Sequence, residues 1–139
     1  MHLQTWDIFV QDIPPGTTSV DQIPEGFITA PIGQRDAIIA GIRAVAPDVD
    51  FTDPTWGVIR GDGYTIEINI GDEPVTSDFA FHVRGDDEAA RIVSRILQRL
   101  ELRAYDPQSL SGIFQCGDAA VESLRSWRAF HHQAVGKGD

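Results

Sequence analysis

The 139-residue chain has one cysteine, one methionine and one lysine. With Cys116 alone, no internal disulfide can form, which sets the expectation of a reducing, cytoplasmic setting. No apolar run approaches the ~18 residues of a membrane span. The opening MHLQTWDIFVQD lacks the basic flank and apolar stretch that pattern a signal peptide. Also absent are G-x-S-x-G, the P-loop, H-E-x-x-H and G-x-G-x-x-G. No motif therefore points to a catalytic chemistry, a cofactor or a metal, and none is expected. The lone Lys137 stands against ten arginines, a bias that suggests a bacterium with GC-rich DNA.

Apolar residues make up 42% of the chain and charged residues 23%, ordinary proportions for a soluble globular protein. The length suits one domain with a core of its own. The formal charge is −10, unevenly spread: residues 1–90 carry net −12 and residues 91–139 net +2. Such a surface repels phosphate backbones, which argues against nucleic acid. It favours a basic partner, although acidic surface also simply keeps proteins soluble.

Alternation in Thr5 to Gln11 predicts a first strand, with Trp6, Ile8 and Val10 on one side. Residues 12–33 hold four prolines and three glycines, a long loop whose Val20, Ile23, Phe27 and Ile28 argue for packing. Ile38, Ile39, Ile42 and Val45 predict a helix from about Gln34 to Ala46. PDVDFTDPT reads as a turn. Three strands follow: Thr55 to Arg60, Tyr64 to Ile70, and Asp78 to Arg84. Gly61-Asp62-Gly63 is a hairpin signal between the first two. Asp86 to Leu100 is the clearest helix, capped by Asp86 or Asp87. Leu102 to Tyr105 predicts a short strand, Ile113-Phe114 a brief edge pairing, and Asp118 to about His132 a last helix. Residues 134–139 are expected to fray. The order β-α-β-β-β-α-β plus a C-terminal helix implies a single-domain α+β fold. Its mainly antiparallel sheet has about five strands, with helices on one face.

That fold leaves a second sheet face. In YTIEINIG, Tyr64, Ile66, Ile68 and Ile70 share one parity, and Thr65, Glu67 and Asn69 the other. Phe79, Phe81 and Val83 likewise oppose Ala80, His82 and Arg84. If both apolar rows face the helices, Thr65, Glu67, Asn69, His82 and Arg84 gather on the open face, close enough to interact across strands. They suit a partner or a polar ligand. A Glu67–His82 pair also suits general acid–base work, with Arg84 as an anion clamp. The plain alternative is a solvated face, polar by default.

Other signals have simpler readings. The two Arg-Gly-Asp tripeptides at Arg60 and Arg84 read as strand-end turns and a helix cap. Asp48, Asp50 and Asp53 lack the glycine and further ligands of a calcium loop. His131 and His132 suit a helix end rather than a metal site. Trp56 opens a strand beside a proline turn and is the tryptophan to watch for a contact.

The stretch from GDGYTIEINIG through FHVRG, a helix and AYDPQSLSGIF resembles a group of small bacterial α+β proteins. These carry an H-V-R-G strand end and a D-P-Q-[ST] turn, and they are similar to some immunity proteins of toxin systems. The likeness spans residues 61–114, and the turn departs from the pattern at Leu110 and Ser111. It implies no catalytic residues. Charge, fold and this likeness together give the expectation of a non-enzymatic cytoplasmic module that binds a basic protein, in the manner of an immunity inhibitor. Read from the residues, its surface is the open face (Glu67, Asn69, His82, Arg84), Trp56 and the acidic turns at Asp62, Asp72 and Glu73. A small enzyme or ligand binder on the same face, and a homo-oligomer built by sheet pairing, stay open.

Overall fold

Each strongly alternating segment becomes a strand. The computed structural model describes residues 4–138, with side chains through His131 at the C-terminal end. The elements are β1 (Trp6–Gln11), β2 (Gly33–Gln34), α1 (Arg35–Val45), β3 (Asp50–Asp53), β4 (Trp56–Gly61) and β5 (Tyr64–Asn69). Then come β6 (Val75–Thr76), β7 (Asp78–Gly85), α2 (Asp87–Leu100), β8 (Ala104–Tyr105) and α3 (Asp118–Gly138). Six strands form one sheet in the order β3-β4-β5-β7-β1-β8, every pairing antiparallel. β2 and β6 pair apart from it. The fold is α+β with its helices on one sheet face.

Register decides that face. Ile8 lies opposite Phe81, and Phe81 opposite Ile68. All three are buried, as are Trp6, Val10, Ile66, Phe79 and Val83. Onto this row pack Ile38 and Ile42 of α1, Ala89, Val93, Ile96 and Leu97 of α2, and Ala120, Val121 and Leu124 of α3. Each large apolar side chain buried here stabilises the fold by about 1.5–3 kcal/mol. The helix α2 begins as its sequence predicts. Asp86 caps it by accepting from the Glu88 amide at 3.2 Å, with Asp87 and Glu88 in the first turn and Arg99 in the last. Asp87 also accepts from Arg125 Nε at 3.0 Å, tying α2 to α3. That bond holds the Asp87 carboxyl below its usual range.

Two expectations need correction. PDVDFTDPT is not only a turn: Asp50–Asp53 forms the edge strand β3, which brings the expected sheet of about five strands to six. Aspartate disfavours strands, but Phe51 is buried at 9% exposure. Its ring lies over Gly57, where an added Cβ would sit 2.5 Å away. Burial of that one ring outweighs the poor propensity of its neighbours. At the other end, α3 continues through Gly138 instead of stopping near His132. The expected fraying of 134–139 concerns residues outside the described side chains.

The 12–33 segment is irregular and tied down by hydrogen bonds rather than by the expected packing: Val20 and Ile28 are exposed, and Ile23 and Phe27 only half-buried. Asp12 accepts from the Ala30 amide at 3.0 Å, Val20 N–H donates to Ser111 O at 2.9 Å, and Arg103 donates to the Pro14 and Thr17 carbonyls. A single 3-10 turn, Val20–Gln22, interrupts it.

Asp106 is the one buried carboxylate among the described residues, at 1% exposure. Trp6 Nε1 donates to its Oδ2 at 3.2 Å, while Oδ1 makes no regular hydrogen bond. Burial pushes its pKa up, outweighing the opposing pull of the Trp6 N–H and the Gln108 amide.

Two predictions follow from this packing. At Gly85, φ is +115 and an added Cβ would meet Gly63 O at 2.2 Å; at Gly71, φ is +80 with nothing within 4 Å. Gly71→Ala is expected to cost about 1–2 kcal/mol, for the left-handed backbone alone. Gly85→Ala costs more, since two backbones must separate. Urea midpoints check this, and equal losses contradict it. The raised pKa of Asp106 means that the folded state binds this proton more tightly than the unfolded chain does. That stabilisation is full below the ordinary aspartate value of about 3.9 and is lost as pH rises through the folded value. Asp106→Asn is therefore expected to gain stability relative to wild type as pH goes from about 4 to 7. A difference independent of pH contradicts it.

Candidate functional site

The polar parity of β5 and β7 gathers as expected on the face opposite the helices. Thr65 lies opposite Arg84, Glu67 opposite His82, and Asn69 opposite Ala80. Strand β1 adds Asp7 beside His82 and Phe9 beside Ala80. Strand β4 adds Trp56 beside Asn69 and Val58 beside Glu67.

Bonding differs from the simplest cross-strand pairing. Glu67 does not engage His82. Its Oε1 accepts from Arg84 Nη2 at 3.0 Å, one step along the strand. His82 Nδ1 sits 2.8 Å from Asp7 Oδ1. An ionised carboxylate only accepts, so Nδ1 carries the proton, and in the neutral ring Nε2 is left as the acceptor. The Trp56 ring stacks on the imidazole at 5.9 Å between centroids and 20° between planes. Glu67, Arg84, His82 and Asp7 keep 25%, 37%, 26% and 36% of their side-chain surface. These pairs therefore meet water, and each is worth at most about 1 kcal/mol.

One row crosses five of the six strands: Tyr105, Phe9, Ala80, Asn69 and Trp56 on successive strands. At about 4.8 Å per strand it spans roughly 19 Å. Phe9 is 40% exposed, so the face carries an apolar, aromatic centre. Around it stand Asp7, Asp50, Asp53, Glu67 and Asp78 against Arg60 and Arg84. Asp50 and Asp53 each bind a threonine two residues on. The Thr52 hydroxyl reaches Asp50 Oδ1 at 2.6 Å and the Thr55 hydroxyl reaches Asp53 Oδ1 at 2.7 Å. These bonds, with the matching backbone amides, hold both carboxyls below their usual range. The face is acidic.

Not every expected residue joins the group. Asp62 sits in the turn before β5, whereas Asp72 and Glu73 follow its other end. A six-residue strand spans about 20 Å, so the two acidic turns flank the face from opposite ends. Asp7, Asp50 and Asp53 were not foreseen. Asp7 was legible as the polar side of β1, but which strand β1 would join was not.

The arrangement suits contact better than catalysis. The Glu67–His82 acid–base pair is not formed, and Asn69 and Arg60 stand exposed beside it. Among the described residues, no group of three or more His, Cys, Asp or Glu is placed to hold a metal ion. No helix among them is long and apolar enough to cross a membrane. Both sheet edges are blunted against pairing with a second copy. β3 carries Asp50 and Asp53, and two-residue β8 is bridged by Ile113. Comparison with protein-family models, curated proteins and solved structures finds no match.

A double-mutant cycle of Glu67→Gln and Arg84→Met is expected to give a coupling below about 1 kcal/mol. Unfolding in urea measures it. A coupling above about 2 kcal/mol contradicts a solvated pair.

Proposed function

We propose that this protein is a non-enzymatic binding module that docks its open sheet face on a basic protein, in the manner of an immunity-type inhibitor. The observation that supports this reading most is the acidic ring around an aromatic centre. Tyr105, Phe9, Ala80 and Trp56 offer desolvatable area, and Asp7, Asp50, Asp53, Glu67 and Asp78 surround it. Protein interfaces commonly combine an aromatic core with a polar rim. Here the rim has one dominant sign, as does the chain at −10. The resemblance of residues 61–114 to immunity-like proteins points the same way. On this reading the protein works in a bacterial cytoplasm, where the exposed thiol of Cys116 stays reduced.

The test begins by capturing the tagged chain at low salt from its source cells and identifying a stoichiometric basic partner. Binding kinetics are then measured with Glu67→Arg and Asp72→Arg. Each variant is expected to slow association several-fold at low salt. That effect fades toward about 0.15 M salt, where screening acts over roughly 8 Å. Unchanged kinetics in both variants rule the face out.

A further inference from the structure

On the helix side of the sheet, apart from the acidic face, a cavity of about 830 Å³ opens between α3 and the Gln108–Ile113 turn. Its wall includes Trp6, Trp127 and Phe130, with Asp106 and Glu122 as its carboxylates. Among the described residues lining it there is no lysine or arginine. Asp106 is 99% removed from solvent and has no cationic partner among the described residues, and its Oδ1 makes no regular hydrogen bond there. Trp127 Nε1 is likewise buried without an acceptor. Buried polar atoms in native folds are nearly always satisfied. A carboxylate left alone in an interior costs stability that an amide or an apolar residue would not. At the cavity mouth Leu110 is fully exposed and Phe130 is 68% exposed, apolar surface that the fold itself does not use.

We infer that this cavity binds a small organic cation, a primary ammonium on an aryl or alkyl body, with Asp106 as its counter-ion. The chemistry of the wall selects that class. An ammonium supplies the donor that Asp106 Oδ1 lacks and a positive charge beside it. The faces of Trp127 and Phe130 attract a cation and shelter an apolar body, while Trp6, fully buried, holds Asp106 from behind. Glu122, exposed on α3, draws positive charge to the entrance. An anion meets two carboxylates and no compensating base. Water is largely shut out at Asp106, so a charge pair made there is stronger than one on the surface. His131 packs on Trp127 at 4.4 Å between centroids and closes the α3 side. This site and the sheet face lie on opposite sides of the sheet, so either reading can fail alone.

The test titrates the full chain at neutral pH with 2-phenylethylamine and, in parallel, with 3-phenylpropanoate. The indole N–H signals of Trp6, Trp56 and Trp127 are followed by NMR. The amine is expected to saturate and to move the Trp6 and Trp127 signals but not that of Trp56. The carboxylate binds at least about tenfold more weakly. Asp106→Asn removes that preference. If this variant does not fold, Ala119→Trp fills the cavity from a half-buried position on α3 and abolishes the response without touching Asp106. The inference is overturned by equal binding of amine and carboxylate, by a response centred on Trp56, or by no response at millimolar amine. A response that survives Asp106→Asn or Ala119→Trp unchanged overturns it equally.

Discussion

The insertion of β1 between β7 and β8 is the constraint on which the rest of the structure depends. Six residues near the start of the chain pair with residues 78–83 on one side and with 104–105 on the other. Their alternation serves two purposes at once. Trp6, Ile8 and Val10 enter the core, where they are fully buried. Asp7 and Phe9 go to the opposite face and complete it. A slip of one residue would exchange these roles, placing Asp7 in the core and Trp6 in water. The same strand carries Trp6 to Asp106. Core, open face and helix-side cavity therefore rest on one register.

The electrostatics divide in the same way. On the open face the pairs Asp7–His82 and Glu67–Arg84 are partly wet, and their energies are small. Their role is to hold side chains in place on a flat surface. Asp50 and Asp53 are held below the usual carboxylate range chiefly by hydrogen bonds from Thr52 and Thr55, with Arg60 adding a smaller pull on Asp50. Asp106 is the opposite case, a carboxylate that burial disfavours and that no base among the described residues compensates. One acidic chain thus presents spread charge on one side of its sheet and concentrated charge on the other.

Much of this was legible from residue order. The hairpin signal at Asp62-Gly63, where Gly63 takes φ +85, and the parity of β5 and β7 place Thr65, Glu67, Asn69, His82 and Arg84 together from residue order alone. The α2 cap at Asp86 was equally plain. What could not be read depended on long-range packing. DFTD looks like a turn because two of its four residues, Asp50 and Asp53, disfavour strands and a proline follows, and the seat of Phe51 on Gly57 makes it β3. Asp7 could not be assigned to His82, because the pairing joins residues 75 apart. The partners of Glu67 and His82 were set by rotamers across three strands, which alternation alone does not specify. The cavity needs α3 to lie beside the Asp106 turn, a placement that no local pattern encodes.

The central claim is that the open face, with Trp56 and Asn69 in its aromatic row, is where this protein meets its partner. The most direct measurement compares the side-chain NMR signals of the free chain with those of its complex with the captured basic protein. The account predicts that the Trp56 indole N–H and the Asn69 side-chain amide shift or broaden, while the Trp127 indole stays in place. A complex that moves Trp127 and leaves Trp56 and Asn69 untouched would contradict it.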